Sequence, residues 1–196
     1  MTLLWIPLTI AAAFLQNVRS ALQKHLKEQL GTTGATFVRF GYGFPFALLY
    51  LAGLATFTDL PVPQLNPRFI IIVMIGGLAQ IAGTGLLVSL FDKRNFAVGT
   101  TYSKTETVQA AIFGIFFLGE LVSLNAAIGI LVSLAGVIAI SVARSPAGLR
   151  AIATAWTEWP ALIGLASGAS FGVAAVSYRG ASLSLGGDGF LMQASV

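Results

Sequence analysis

The sequence predicts an all-α protein, a polytopic transmembrane helix bundle. Three observations predict it. Hydrophobic residues make up 56% of the 196 positions and charged residues only 9%, against about 25% charged in a typical soluble domain. Apolar runs of about 20 residues, the length that crosses a bilayer as a helix, recur along the chain. Small residues crowd inside these runs, as at Gly76, Gly77, Gly83 and Gly85, or at Gly164, Ser167, Gly168 and Gly172. They let helix backbones approach where no hydrophobic effect drives association. A substrate path beside glycine-rich helices is the other reading of the same pattern.

The spans follow in order. The first covers 3–22, and its later half is polar, with Gln16, Asn17 and Arg19. It has no basic leading segment, so it reads as a retained helix and not a signal peptide. Residues 23–33, carrying Lys24, His25, Lys27 and Glu28, are expected to form a loop. The second span covers 34–57 and ends at Asp59 and the Pro61-Val62-Pro63 turn, since proline cannot continue a regular helix. The third covers 69–91, the fourth 96–118 and the fifth 122–143. Beyond it, Leu149, Ile152, Trp156 and Trp159 recur at helical spacing, which predicts a short helix lying in the membrane interface. The sixth span covers 160–183. A seventh apolar run starts near Gly189 and is too short by Val196 to cross a bilayer. Missing C-terminal helices, or a second copy of the chain, are expected to complete the bundle.

The net charge of +4 reflects topology rather than nucleic-acid binding, because the basic residues sit mostly between apolar runs. Lys24, Lys27, Lys93, Arg94, Arg144 and Arg150 fall in the loops of one side, and Arg68 and Arg179 fall on the other. The positive-inside rule then puts the N-terminus outside. With one histidine, His25, and no cysteine, no metal cluster or nucleophilic triad can be assembled. Neither an enzyme nor a cofactor is expected. No phosphate-binding glycine loop suggests ATP hydrolysis.

The fourth run holds the least comfortable residues, Thr100-Thr101-Tyr102-Ser103-Lys104-Thr105-Glu106-Thr107. A charge at the centre of a membrane helix costs about 2.5–3.5 kcal/mol on insertion scales. Glu106 and Lys104 are therefore candidate functional groups. In a regular helix they point about 200° apart, so either the helix is irregular there or each finds a partner elsewhere. Tyr102 shares a face with Glu106, and Gln109 shares one with Thr105. Arg39, Asn17 and Gln80 are the other polar groups within reach. Together they suggest a polar cavity for a small charged or zwitterionic solute. Glu106 is also a candidate proton carrier, because a low-dielectric surrounding favours the neutral form of a carboxyl group. The alternative is a buried ion pair that orders the bundle, such as Glu106 with Arg39. Glu120 reads as a capping and interface residue, and Arg19 as a side chain snorkelling to the headgroups.

These residues together resemble the drug/metabolite transporter superfamily, in particular its EamA-like family. The clearest stretch, 96–141, reads FAVGTTYSKTETVQAAIFGIFFLGELVSLNAAIGILVSLAGVIAIS. Leu118-Gly119-Glu120, Gly129 and Gly136-Val137 match the family pattern, as does Arg39 early in the second span. The resemblance implies two inverted five-helix repeats with alternating access to a central cavity. Residues 1–143 would form the first repeat, 144–159 a linker and 160–196 the beginning of the second. It also implies a cytoplasmic N-terminus, against the charge count, and the orientation stays open. The family often carries proline near the position of Thr107, absent here. Lys104-Thr105-Glu106 is unusual for the family and points to a subgroup with a charged substrate. The expected function is secondary transport of a small metabolite across an inner membrane, exported by proton exchange. A non-transporting membrane scaffold or subunit is the alternative.

Overall fold

The computed structural model describes residues 5–57, 65–92, 101–144 and 158–185. The seventh apolar run lies outside these residues, as does the expected interfacial helix apart from Trp159, which opens the last helix. Every regular element among the described residues is helical, as the apolar runs require. A chain in a bilayer must satisfy its backbone groups within each spanning segment.

Helix α1, Trp5–Gly41, is longer than any single span. The expected loop over 23–33 is a correction: the chain stays helical through Leu30. Gln23 to Leu30 contains no proline, glycine or β-branched residue, so nothing in it stops a helix. The break is confined to Gly31, at φ 69° and ψ −178°. That region of backbone space is open essentially to glycine alone. Gly31 thus divides α1 into two arms. A Cβ there would meet nothing within 4 Å, so the requirement is conformational and not steric. Gly31→Ala is expected to cost about 1–3 kcal/mol, seen as a lower melting temperature in detergent. Gly31→Asn should fare no better, because asparagine tolerates the ordinary left-handed region and not this one.

The expected second span is also interrupted. The second arm of α1 ends at Gly41, Tyr42 makes a turn, and α2 runs over Gly43–Phe57. Pro45 has no N–H to return to the Gly41 carbonyl, which accounts for the interruption. No residue of α2 is buried, and Phe44, Phe46 and Phe57 stand open. Such large exposed apolar surface suits lipid and not water.

Helix α3, Pro67–Ser89, starts at Asn66, whose Oδ1 accepts from the Phe69 N–H at 2.8 Å. A 3₁₀ turn, Leu90–Asp92, closes it. Helix α4, Glu106–Phe113, runs into a π-helical turn, Gly114–Leu118, that ends at Gly119 in the left-handed region. Helix α5, Leu124–Arg144, begins with Ser123 Oγ accepting from the Ala126 N–H at 3.3 Å. Helix α6, Trp159–Ser184, takes Pro160 into its first turn, where proline's missing N–H does no harm.

The tightly packed part of the bundle is α6 against α3 and α4. Helices α3 and α6 run antiparallel. At one end Asn66 Nδ2 donates to the Ser184 carbonyl at 2.8 Å, and towards the other Ser167 Oγ donates to the Gly83 carbonyl at 2.9 Å. Helix α6 buries small residues only: Ala161, Gly164, Ser167, Gly168, Gly172, Ala174, Gly180 and Ala181. Gly168 and Gly172 meet the chain between Ser103 and Phe113, while Ser177 and Tyr178 pack on Gly76 and Phe171 packs on Gly83. Close backbone approach and interhelical hydrogen bonds hold these helices together, as expected inside a membrane.

Candidate functional site

Around Lys104 the fourth apolar run leaves the regular helix. Residues 101–103 are helical, Lys104 and Thr105 form a turn, and α4 restarts at Glu106. The local sequence explains the break. Thr105 Oγ1 donates to the Tyr102 carbonyl at 2.6 Å, taking an acceptor that the helix ladder would use. The Lys104 and Thr105 N–H groups bond three residues back, to Thr101 and Tyr102, each at 3.1 Å. Gln109 Nε2 then clamps the turn, donating to Thr105 Oγ1 at 2.8 Å and to the Leu165 carbonyl of α6 at 3.4 Å. Ser103 Oγ sits 3.4 Å from Ser167 Oγ, which holds the other side of the turn to α6. Of the two geometries the sequence leaves open, the irregular helix is the one found.

The break brings Lys104 and Glu106 to the wall of one cavity of about 820 Å³, within electrostatic reach of each other. The two arms of α1 supply Gln16, Arg19 and Gln23, then Arg39 and Phe40. Gln80 and Leu87 of α3 and Phe91 beyond it add a third side, with Phe171, Ala175 and Tyr178 of α6 closing the fourth. The guanidinium of Arg39 lies 5.2 Å from the Phe40 ring centre and within electrostatic reach of Arg19 and Tyr178. Among the described residues the close ion pairs are His25–Glu28 and Glu120–Arg179. The considered Glu106–Arg39 pair is not among them.

Four of the candidates from sequence, Glu106, Lys104, Arg39 and Gln80, thus meet in one cavity. Gln109 lies outside its wall and fastens the turn. Tyr102 also lies outside it, packed against Ala161. The turn between Tyr102 and Glu106 removes the shared face that a regular helix would give them. The side chain of Asn17 lies outside the described residues. Arg19 is a correction. Its helix continues for three further turns, so it is no helix-end residue free to snorkel, and it lines the cavity instead. Gln16, Arg19 and Gln23 recur at i, i+3 and i+7, a polar helix face whose periodicity was available in the sequence. Phe171, Ala175 and Tyr178 recur at i, i+4 and i+7 in α6, with no polar signal to separate them from packing.

Glu120 meets the interface half of its expected role, while Gly119 is the residue that caps the turn. The turn ends at Gly119, with φ 66°, and the Glu120 carboxylate accepts from Arg179 Nε of α6. Both side chains are exposed. An exposed pair contributes about 0.2–1 kcal/mol. Glu120→Gln is therefore expected to lower the melting temperature by only a few degrees, and the double reversal Glu120→Arg with Arg179→Glu should recover most of that.

A bundle of apolar helices around a charged cavity defines a multi-pass membrane protein. Among the described residues, length and composition give three helical stretches apolar enough to span: 6–57, which includes the two arms of α1 and α2, then 67–89 and 159–184. A model of the EamA-like transporter family matches residues 3–142, and the chain belongs to that family. Its members are membrane transporters of small molecules and not enzymes. No curated protein and no solved structure matches the chain.

Proposed function

We propose that the chain is a secondary transporter that moves a small charged or zwitterionic metabolite across a bacterial-type inner membrane. It exports the solute by alternating access in exchange for protons. The observation that carries this reading is the cavity of about 820 Å³ with Glu106, Lys104, Arg39 and Gln80 on its wall. Charged groups inside a bilayer persist where they face a hydrated passage, and this volume is ample for a small metabolite. Lys104 and Arg39 would bind the solute, and Glu106 would carry the proton. Gln109 would hold the turn that presents them, and Tyr102 and Asn17 remain candidates for the same path. The scaffold alternative gives no reason for a cavity with Arg19, Arg39, Lys104 and Glu106 on its wall.

The repeat reading goes with this mechanism. Residues 1–143 form the first five-helix unit, 144–159 the linker and 160–196 the beginning of a second. The contact of α6 with α3 and α4 would then be the seam along which the halves rock. Further C-terminal helices or a second copy would complete the path.

Vesicles reconstituted with the full chain and loaded with amino acids and organic acids test the proposal. An inward proton gradient should drive loss of at least one loaded solute well above that from empty vesicles. Equal loss from both kinds of vesicle overturns the transporter reading and leaves the scaffold.

A further inference from the structure

The charge on the cavity wall is unbalanced. Among the described residues it carries three cations, Arg19, Arg39 and Lys104, against one carboxylate, Glu106. Lys104 has Glu106 beside it. The two arginines have each other, and neither forms an ion pair with a carboxylate of the described residues. Their meeting is a product of the fold. On a straight helix the twenty positions from Arg19 to Arg39 would hold them about 30 Å apart. The backbone reversal at Gly31 brings both to one cavity. Like charges facing one cavity repel, and a bound anion removes that cost.

A second observation points the same way. Gln23 follows Arg19 by one helical turn on the same cavity wall. It is 7% exposed, and its Nε2 is buried with no hydrogen-bond partner. A buried donor without an acceptor is costly. A rotation of the side chain toward the cavity would bring that donor to an oxyanion held by the arginines. Planar guanidinium groups match the two oxygens of a carboxylate or phosphate, which makes arginine the usual reader of such groups.

We infer that Arg19, Gln23 and Arg39 form an oxyanion site, and that the solute taken into the cavity is a small organic anion carrying a carboxylate or phosphate. The inference rests on the transporter reading for the passage of that solute, not for its binding. Its remainder would lie toward Gln80, Lys104 and Glu106.

The test is equilibrium binding to the purified full chain in detergent, with radiolabelled succinate, glycerol 3-phosphate, lysine and glucose as separate probes. Saturable binding of succinate or glycerol 3-phosphate is expected, with none of lysine or glucose. Which anion binds distinguishes a carboxylate site from a phosphate site. Arg19→Gln and Arg39→Gln should each weaken it tenfold or more, Gln23→Leu should weaken it several-fold, and Arg68→Gln, outside the cavity, should leave it unchanged. Arg19→Lys and Arg39→Lys guard against misfolding, because they keep the charge and should bind with intermediate affinity. Binding of neither anion, preference for lysine or glucose, or anion binding unmoved by both arginine variants overturns the site. Anion-selective binding without flux in vesicles would reject the transporter reading and keep the site. Flux without anion selectivity would do the reverse.

Discussion

Glu106→Gln is expected to abolish proton-driven flux and to spare solute exchange. Glutamine keeps the size and hydrogen-bonding capacity of the side chain but cannot take up or release a proton. Glu106 stands at the first position of α4, where a carboxylate also favours the helix terminus by a few tenths of a kcal/mol to about 1 kcal/mol. The substitution removes that small term, so the protein still inserts and folds. In vesicles, net loss of solute under a proton gradient should fall at least tenfold, to the level of empty vesicles. Exchange of labelled for unlabelled solute, which needs no net proton movement, should continue. Loss of both processes would make Glu106 a solute-binding group. Survival of both would place coupling elsewhere. Lys104→Gln gives the contrast: by removing the neighbouring cation it should weaken solute affinity and leave the residual flux proton-dependent.

The sequence makes Glu106, Lys104 and Arg39 visible because a charge within an apolar run carries an energetic penalty that needs a reason. It makes the helices visible for the same kind of reason, since their length and hydropathy are set by the bilayer. Geometry across breaks is much less legible. The charges Lys24, Lys27 and Glu28 suggest a loop in the sequence, yet they ride on a helix that runs to Leu30. Polar residues do not stop a helix, and a glycine in a conformation open to glycine alone, as at Gly31, does. With the loop misplaced, Arg19 looks like a residue near a helix end, and its meeting with Arg39 across Gly31 has no sequence signal. The turn at Lys104 and Thr105 depends on Thr105 and Gln109 both finding their partners. A run of hydroxyl residues permits that break without requiring it. Tyr178 reaches the cavity only because α6 packs against α3 through Gly76, a tertiary fact.

The packing of α6 beneath that turn gives the second large effect. A Cβ on Gly168 would lie 3.0 Å from the Ser103 carbonyl oxygen, 3.1 Å from Gln109 Nε2 and 3.3 Å from the Glu106 backbone nitrogen. Two of these neighbours are backbone atoms of the turn itself and cannot swing aside. Gly168→Ala therefore has to push the turn by a few tenths of an ångström. Gly168→Val has to push it further, where overpacking costs typically about 1–3 kcal/mol. The displaced atoms carry Lys104 and Glu106, so function should suffer beyond the loss of stability. Flux is expected to fall in the order glycine, alanine, valine, with the valine variant at least tenfold down even at temperatures where it remains folded. Gly77 is the control. It lies inside α3, and a Cβ there meets nothing within 4 Å. Gly77→Ala gains helix propensity worth up to about 1 kcal/mol and should leave flux unchanged while holding or raising the melting temperature. If Gly168→Val transports normally, α6 does not set the position of the turn, and the charged wall must be held by α1 and α3 alone.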